Sequence, residues 1–188
     1  DEIMAVAREH GLSVIEDAAP ALGSTYHGRP VGSFGDAACF SFQGAKMAVC
    51  GEGGIFLTDR DDLYERAKLL SSMGRTDSQA VFWSDELGYQ YTMGNLHASL
   101  ALAQLERADE LMAKKRALFD GYSRRLKDVD AVWLVTERDG CRSNYCYPSI
   151  LLPCHTITQR DAILAGLRAS NIHARPAFPR MSRFPAFE

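Results

Sequence analysis

The run LSVIE, residues 12 to 16, follows directly on a short amphipathic segment, and this pairing is the tightest constraint the sequence places on its fold. Ile3, Val6 and Ala7 mark one face of a helix, and Gly11 can stop it. A helix that feeds without a linker into a buried apolar strand is part of an α/β unit. No strand precedes the helix, so the pattern starts partway through a unit. The chain is therefore expected to be the C-terminal part of something longer.

Asp17 closes that first strand, and Ala18 to Gly23 are small enough to pack against a ligand or another backbone. HGRP at 27–30 predicts a turn. AACFSF (37–42) and IFLTD (55–59) predict two more strands. Asp61 or Asp62 can cap a helix with Leu63, Ala67 and Leu70 on its apolar face. Residues 74–95 lack a clear period and predict a folded functional loop or an interface segment. From Leu96 one long helix is predicted to about Leu126, with Ala101, Leu105, Ala108, Met112, Phe119 and Tyr122 in one stripe. Such a helix suits a link between domains or a dimer contact. AVWLV (131–135) and YCYPSILL (145–152) predict strands of a second unit, Pro148 moving the latter toward an edge or bulge. A helix is expected over 158–169. The proline- and aromatic-rich ending RPAFPRMSRFPAFE is a second sign of a partial chain.

Composition narrows the function classes. With 188 residues, 46% hydrophobic and 24% charged, the chain can bury one good core or two modest ones. A net charge of -3 gives no case for nucleic-acid binding, and Lys114-Lys115-Arg116 reads as a solvated helix face. No apolar run is long enough for a spanning helix, and the acidic start is not a signal peptide. The 5 cysteines are scattered, without a C-x-x-C pair or a His/Cys cluster. Free thiols in a reducing, cytoplasmic compartment and no metal site are expected.

Two polar residues stand at strand ends in apolar surroundings, Asp17 and Lys46. In open α/β sheets ligands collect beyond the carboxyl ends of strands. A partly desolvated lysine is a nucleophile, a carboxylate can hold a proton on a ring nitrogen, and Ser41 can donate to a phosphate oxygen. Together they suit pyridoxal 5'-phosphate. Singly, each has a plainer reading: a loop-starting carboxylate, a solvated lysine, a strand hydroxyl. A phosphate-loop NTPase is excluded, because Gly44-Ala45-Lys46 lacks both the spacing and the following Ser or Thr.

The segment VIEDAAPALGSTYHGRPVGSFGDAACFSFQGAKMAVCGEGGIFLTD (14–59) resembles the cofactor region of the DegT/DnrJ/EryC1/StrS sugar aminotransferases, and LGYQYTMGNLHASLALAQLE (87–106) continues the pattern. The ordered set EDAA, FSF-x-x-x-K, GEGG and LGY-x-Y…AQLE carries the resemblance. It covers most of the chain and weakens after about residue 127. It implies the C-terminal part of a fold-type I pyridoxal-phosphate transferase: residues 1–115 from the large domain and 116–188 from a small α+β domain. An N-terminal part holding the phosphate-binding glycine-rich segment and the ring-stacking aromatic is expected to be missing.

The resemblance also assigns roles. Lys46 corresponds to the lysine that bonds the cofactor aldehyde, Asp17 to the acid on the pyridine nitrogen, and Ser41 to a phosphate ligand. Gln90 stands where the family has asparagine, reaching the phosphate of a neighbouring subunit's cofactor. Thr92 replaces an arginine beside it, and Pro20 stands where Gln, Glu or His faces the ring. Ser182, near PRMSRFPAF, falls at a position that is often serine in perosamine-synthase-like members. Arg175 lies where the family varies around substrate, or is a surface arginine before Pro176. His10, His27, His97 and His155 are expected in turns, surface or core. The implied reaction moves an amino group from L-glutamate to a nucleotide-linked keto-sugar in a homodimer with shared sites. The alternatives are a non-catalytic binding or dimerising remnant, or a related cofactor-dependent sugar dehydratase. Lys46 favours transfer over the dehydratase, some of whose relatives carry histidine there.

Overall fold

The computed structural model describes residues 1–76, 83–154 and 156–187. The elements in chain order are α1 (Glu2–Glu9), β1 (Ile15–Asp17), β2 (Thr25–Tyr26), β3 (Arg29–Pro30), β4 (Ala37–Ser41), β5 (Gly54–Leu57) and α2 (Asp61–Ser71). They continue with α3 (Asn95–Leu105), α4 (Ala108–Leu126), β6 (Trp133–Leu134), β7 (Cys141–Arg142), β8 (Ile150–Leu151) and α5 (Ile157–Ala169). Two compact units divide the chain, one of residues 1–128 with 134–149, the other of 129–133 with 150–188.

In the first unit β4 is the centre of a sheet ordered β1-β4-β5. β1 runs parallel to it, Asp17 beside Cys39, and β5 runs antiparallel, Ser41 beside Gly54. A methyl group at Gly54 would stand 2.5 Å from the Phe40 carbonyl oxygen, so that pairing needs glycine. Phe42, Ala48, Cys50 and Ala101 form one buried cluster, and Met47, Met112 and Cys146 form another. A smaller sheet, ordered β3-β2-β7, pairs Thr25 with Arg142 and Tyr26 with Cys141. His27 (φ 47°) and Gly28 (φ 78°) close the β2–β3 hairpin in the left-handed conformation such two-residue turns require. The second unit contains α5, whose start is fixed by a capping box between Thr156 and Gln159.

Glu16 secures the approach to β4. Its carboxylate accepts from the backbone N–H of Gly32 (2.8 Å), Phe34 (2.6 Å) and Gly35 (2.8 Å), tying the 32–35 loop to β1. Glu16→Gln leaves one amide group facing backbone donors. It is expected to lower unfolding free energy by about 2 kcal/mol in urea titration. A change under about 0.5 kcal/mol contradicts this role for the carboxylate.

The structure corrects two of the expected elements. The helix expected from Leu96 to Leu126 is two helices, because Glu106 and Arg107 turn the chain between α3 and α4, Arg107 having left helical geometry at φ -108°, ψ 13°. Of the strand expected over 145–152 only Ile150–Leu151 forms, since Tyr145 takes φ 48°. In its place the 137–147 stretch contributes β7 to the smaller sheet. Within the 74–95 segment, residues 83–91 fold back on the end of α2: Tyr89 N–H donates to Leu70 O and Tyr91 N–H to Ser71 O. Residues 77–82 of that segment, and His155, lie outside the described residues.

Candidate active site

Asp17 and Ser41 stand at the carboxyl ends of two neighbouring parallel strands. Asp17 pairs with Cys39, and Ser41 lies two positions further along β4, so all three side chains share one face of the sheet. That face is open at this end, where Asp17 is exposed, whereas Ala38 on the opposite face is fully buried. The chain then turns. Lys46 N–H donates to Gln43 O (2.9 Å), Ala45 N–H donates to Gln43 Oε1 (3.0 Å), and Cys50 N–H returns to Phe42 O (2.9 Å). Burial of Met47, Ala48 and Cys50 anchors this turn from below, and Lys46 is left half-buried at its edge. Three of the expected site residues are thus carried by the same end of one sheet.

Their free valences fit pyridoxal phosphate. One Asp17 oxygen, Oδ1, accepts from Ala19 N–H (3.1 Å), and Oδ2 stays available for a protonated ring nitrogen. Ser41 Oγ accepts from Gln43 N–H (3.3 Å) and keeps its own proton to donate to a phosphate oxygen. The Lys46 ammonium makes no hydrogen bond or ion pair among the described residues, which is what a lysine awaiting an aldehyde requires. Gln90 differs. It lies in the segment folded onto α2, exposed, its amide donating to Thr92 Oγ1 (2.7 Å), so the two substituted positions engage each other.

Sequence reading missed the segment that borders this site. Asn144, 3% exposed, sends both amide protons to the loop after Asp17, to Pro20 O (2.8 Å) and Leu22 O (2.8 Å). Its Oδ1 accepts from Cys146 N–H (2.9 Å). A cleft of about 350 Å³ opens beside it, between Pro20, Ser24, Glu137, Tyr145 and Tyr147. In the sequence Asn144 follows Arg142 and Ser143 at the polar edge of the YCYPSILL run, where nothing singles it out.

Behind the cleft, Arg116 grips Glu137 with two bonds (Nη1–Oε1 2.6 Å, Nη2–Oε2 3.2 Å) and lies 5.3 Å from the centre of the Tyr145 ring, which stacks on Phe119. The solvated-face reading of the 114–116 cluster therefore holds for Lys114 but not for Arg116, which is drawn inward by this partner. Arg116 holds the Glu137 carboxyl below the usual carboxylate range; partial burial opposes the shift and the Ser143 N–H adds to it. Because the folded-state value is lowered, this contribution to stability is fully present above the ordinary value of 4.5. It is lost as pH falls through the lower folded value. Between about pH 6 and about pH 3, wild-type unfolding free energy should therefore drop more steeply than that of Glu137→Gln, by about 1–2 kcal/mol. Parallel pH profiles would contradict the ion pair's contribution.

A carboxylate, a hydroxyl and a lysine with no hydrogen bond or ion pair among the described residues thus stand at the carboxyl end of an α/β sheet, a set whose chemistry fits pyridoxal phosphate. Comparison with known proteins gives the family. The family model of the DegT/DnrJ/EryC1/StrS aminotransferases matches residues 1–188, and the chain belongs to that family, whose cofactor is pyridoxal 5'-phosphate. It is 38% identical to GDP-perosamine synthase of Caulobacter vibrioides, over all of this chain and 50% of that protein. It is 35% identical to GDP-perosamine synthase of Escherichia coli O157:H7, with the same coverage. The structure superposes on the Helicobacter pylori aminotransferase PseC with a TM-score of 0.92, at 27% identity over 98% of this chain and 50% of that one. The aminotransferase TlmJ of Streptoalloteichus hindustanus gives 0.90 at 26% identity, over 99% and 50%. The chain spans about half the length of the relatives it matches, and its fold is the corresponding part of a fold-type I transferase.

Proposed function

We propose that the chain carries the catalytic lysine of an aminotransferase that moves an amino group from L-glutamate to a nucleotide-linked keto-sugar. The observation that carries this reading is the placement of Asp17, Ser41 and the unengaged Lys46 at one end of the β1–β4 pair. Relatives named GDP-perosamine synthase support a sugar nucleotide as the acceptor.

The bound cofactor supplies an electron sink for the bonds around the donor's α-carbon. Lys46 Nζ binds its aldehyde at rest. As a free amine, Nζ would serve as the general base that takes a proton from the donor α-carbon and, once protonated, as the general acid that gives it up. Asp17 Oδ2 keeps the ring nitrogen protonated, and Ser41 Oγ holds a phosphate oxygen. Gln90 reaches a cofactor phosphate in the neighbouring subunit of a homodimer with shared sites, on breaking its bond to Thr92. Residues 1–115 belong to the cofactor-binding domain and 116–188 to the small domain. The reaction runs in the cytoplasm, where the free cysteines stay reduced.

Incubation with pyridoxal phosphate, 15N-labelled L-glutamate and a panel of keto-sugar nucleotides tests donor and acceptor together. The expected result is a labelled amino-sugar nucleotide, seen by mass. Release of 2-oxoglutarate with no aminated sugar would overturn the acceptor class. No 2-oxoglutarate would overturn the donor.

A further inference from the structure

Asp17 and Lys46 each border a loop, and one turn touches both. Residues 18–24 follow Asp17 and are held internally by only a few bonds, among them Ala21 N–H to Ala18 O and Ser24 N–H to Ala21 O. Asn144 bonds this loop at three points: Nδ2 to Pro20 O and to Leu22 O, and its backbone N–H to Ser24 Oγ (3.1 Å). Two residues on, Cys146 packs in the buried cluster with Met47, the neighbour of Lys46, and Lys115 Nζ donates to Cys146 O (3.3 Å). The packing of Met47 against Cys146 brings the Lys46 turn to this one, and burial pushes the Cys146 thiol up while the charges of Lys115 and Lys46 oppose that shift. A buried amide with both protons used is costly to disturb, since each lost partner leaves a buried group unsatisfied.

We propose that Asn144 is a positioning residue: by clamping Pro20 and Leu22 it fixes the loop that aims Asp17, and through Cys146 and Met47 the same turn sets Lys46 against it. Pro20 takes part through its carbonyl, so a position that offers no side-chain hydrogen bond still anchors the loop. The inference rests on Lys46 and Asp17 serving pyridoxal phosphate, and its test has one arm that does not.

In the first arm, amide hydrogen exchange is followed on the unliganded chain. Asn144→Ala is expected to speed exchange at Ala21 and Ser24 about tenfold or more, while Tyr89 and Tyr91, on the segment folded onto α2, change little. Should that variant not fold, Asn144→Ser, which retains a donor, is read the same way. Loop amides at the wild-type rate, or a uniform acceleration across the chain, would overturn the clamp. In the second arm, the pH midpoint of the Lys46-dependent visible band is measured with cofactor bound. Asn144→Ala is expected to move it by about half a unit or more. A purely structural role lowers the amount of bound cofactor and leaves the midpoint in place, and that result would overturn positioning. If the wild-type chain shows no Lys46-dependent band, the cofactor reading fails, and the exchange arm still decides the clamp.

Discussion

Replacement of Lys46 by alanine is expected to slow amino transfer by about 10⁴-fold or more, because one residue is lost as both the covalent anchor and the proton carrier. The fold should survive. Lys46 is half-buried at the edge of its turn and holds no hydrogen-bonded partner among the described residues. The turn is kept by backbone bonds to Gln43 O and Phe42 O and by the burial of Met47, Ala48 and Cys50. Unfolding free energy within about 1 kcal/mol of wild type, together with lost turnover, is the expected pair of results. Added methylamine is expected to restore part of the proton-transfer rate, as a free amine can stand in for a deleted one. Full activity in Lys46→Ala would remove Lys46 from the chemistry.

The second large effect lies in the segment that presents Gln90. Gly88 crosses the backbone at Gly74, and a methyl group on it would overlap Gly74 N and stand 2.6 Å from Met73 C. Gly74 has φ 66°, and a methyl group there would meet Glu86 O. Neither side of this crossing has a flexible side chain that could yield. Gly88→Ala is expected to cost about 3 kcal/mol or more, or to detach residues 85–91 from the end of α2. Exchange at the Tyr89 and Tyr91 amides, whose acceptors are Leu70 O and Ser71 O, reads the detachment directly. Gly94→Ala is the contrasting case: its nearest neighbour is His97 Nδ1 at 4.0 Å, and the change at this helix N-cap should cost under about 1 kcal/mol. Equal effects at the two glycines would contradict the close crossing.

How far the sequence could be read depended on the range of the interaction. Helices α1, α2 and α5 were readable from local periodicity and caps, and β4 and β5 from apolar runs bounded by glycine and acidic residues. The break at Glu106–Arg107 was not, since neither residue is a helix breaker and α3 and α4 continue nearly the same apolar stripe. The smaller sheet joins residues 25–26 to 141–142, a pairing that no local pattern encodes. At the candidate site, Asp17, Ser41 and Lys46 were singled out because their residue types suit one cofactor at strand ends and because the family's motifs fall on them. Asn144 and Glu16 were missed because they act on backbone carbonyls and amides far away in sequence, at Pro20, Leu22, Gly32, Phe34 and Gly35. Backbone partners leave no trace in residue type. Arg116 was misjudged for a related reason: its partner Glu137 is 21 residues away, while acidic neighbours on its own helix suggested a solvated face.

The central claim is that Lys46, alone among the lysines, is placed to bond a cofactor aldehyde. The direct measurement is borohydride reduction of the chain after incubation with pyridoxal phosphate, followed by peptide mass mapping. The account predicts one reduced phosphopyridoxyl group, on Lys46, with Lys68, Lys114, Lys115 and Lys127 unlabelled at matched cofactor concentration. Label spread over the surface lysines, or absent from Lys46 while the chain is folded, would contradict it.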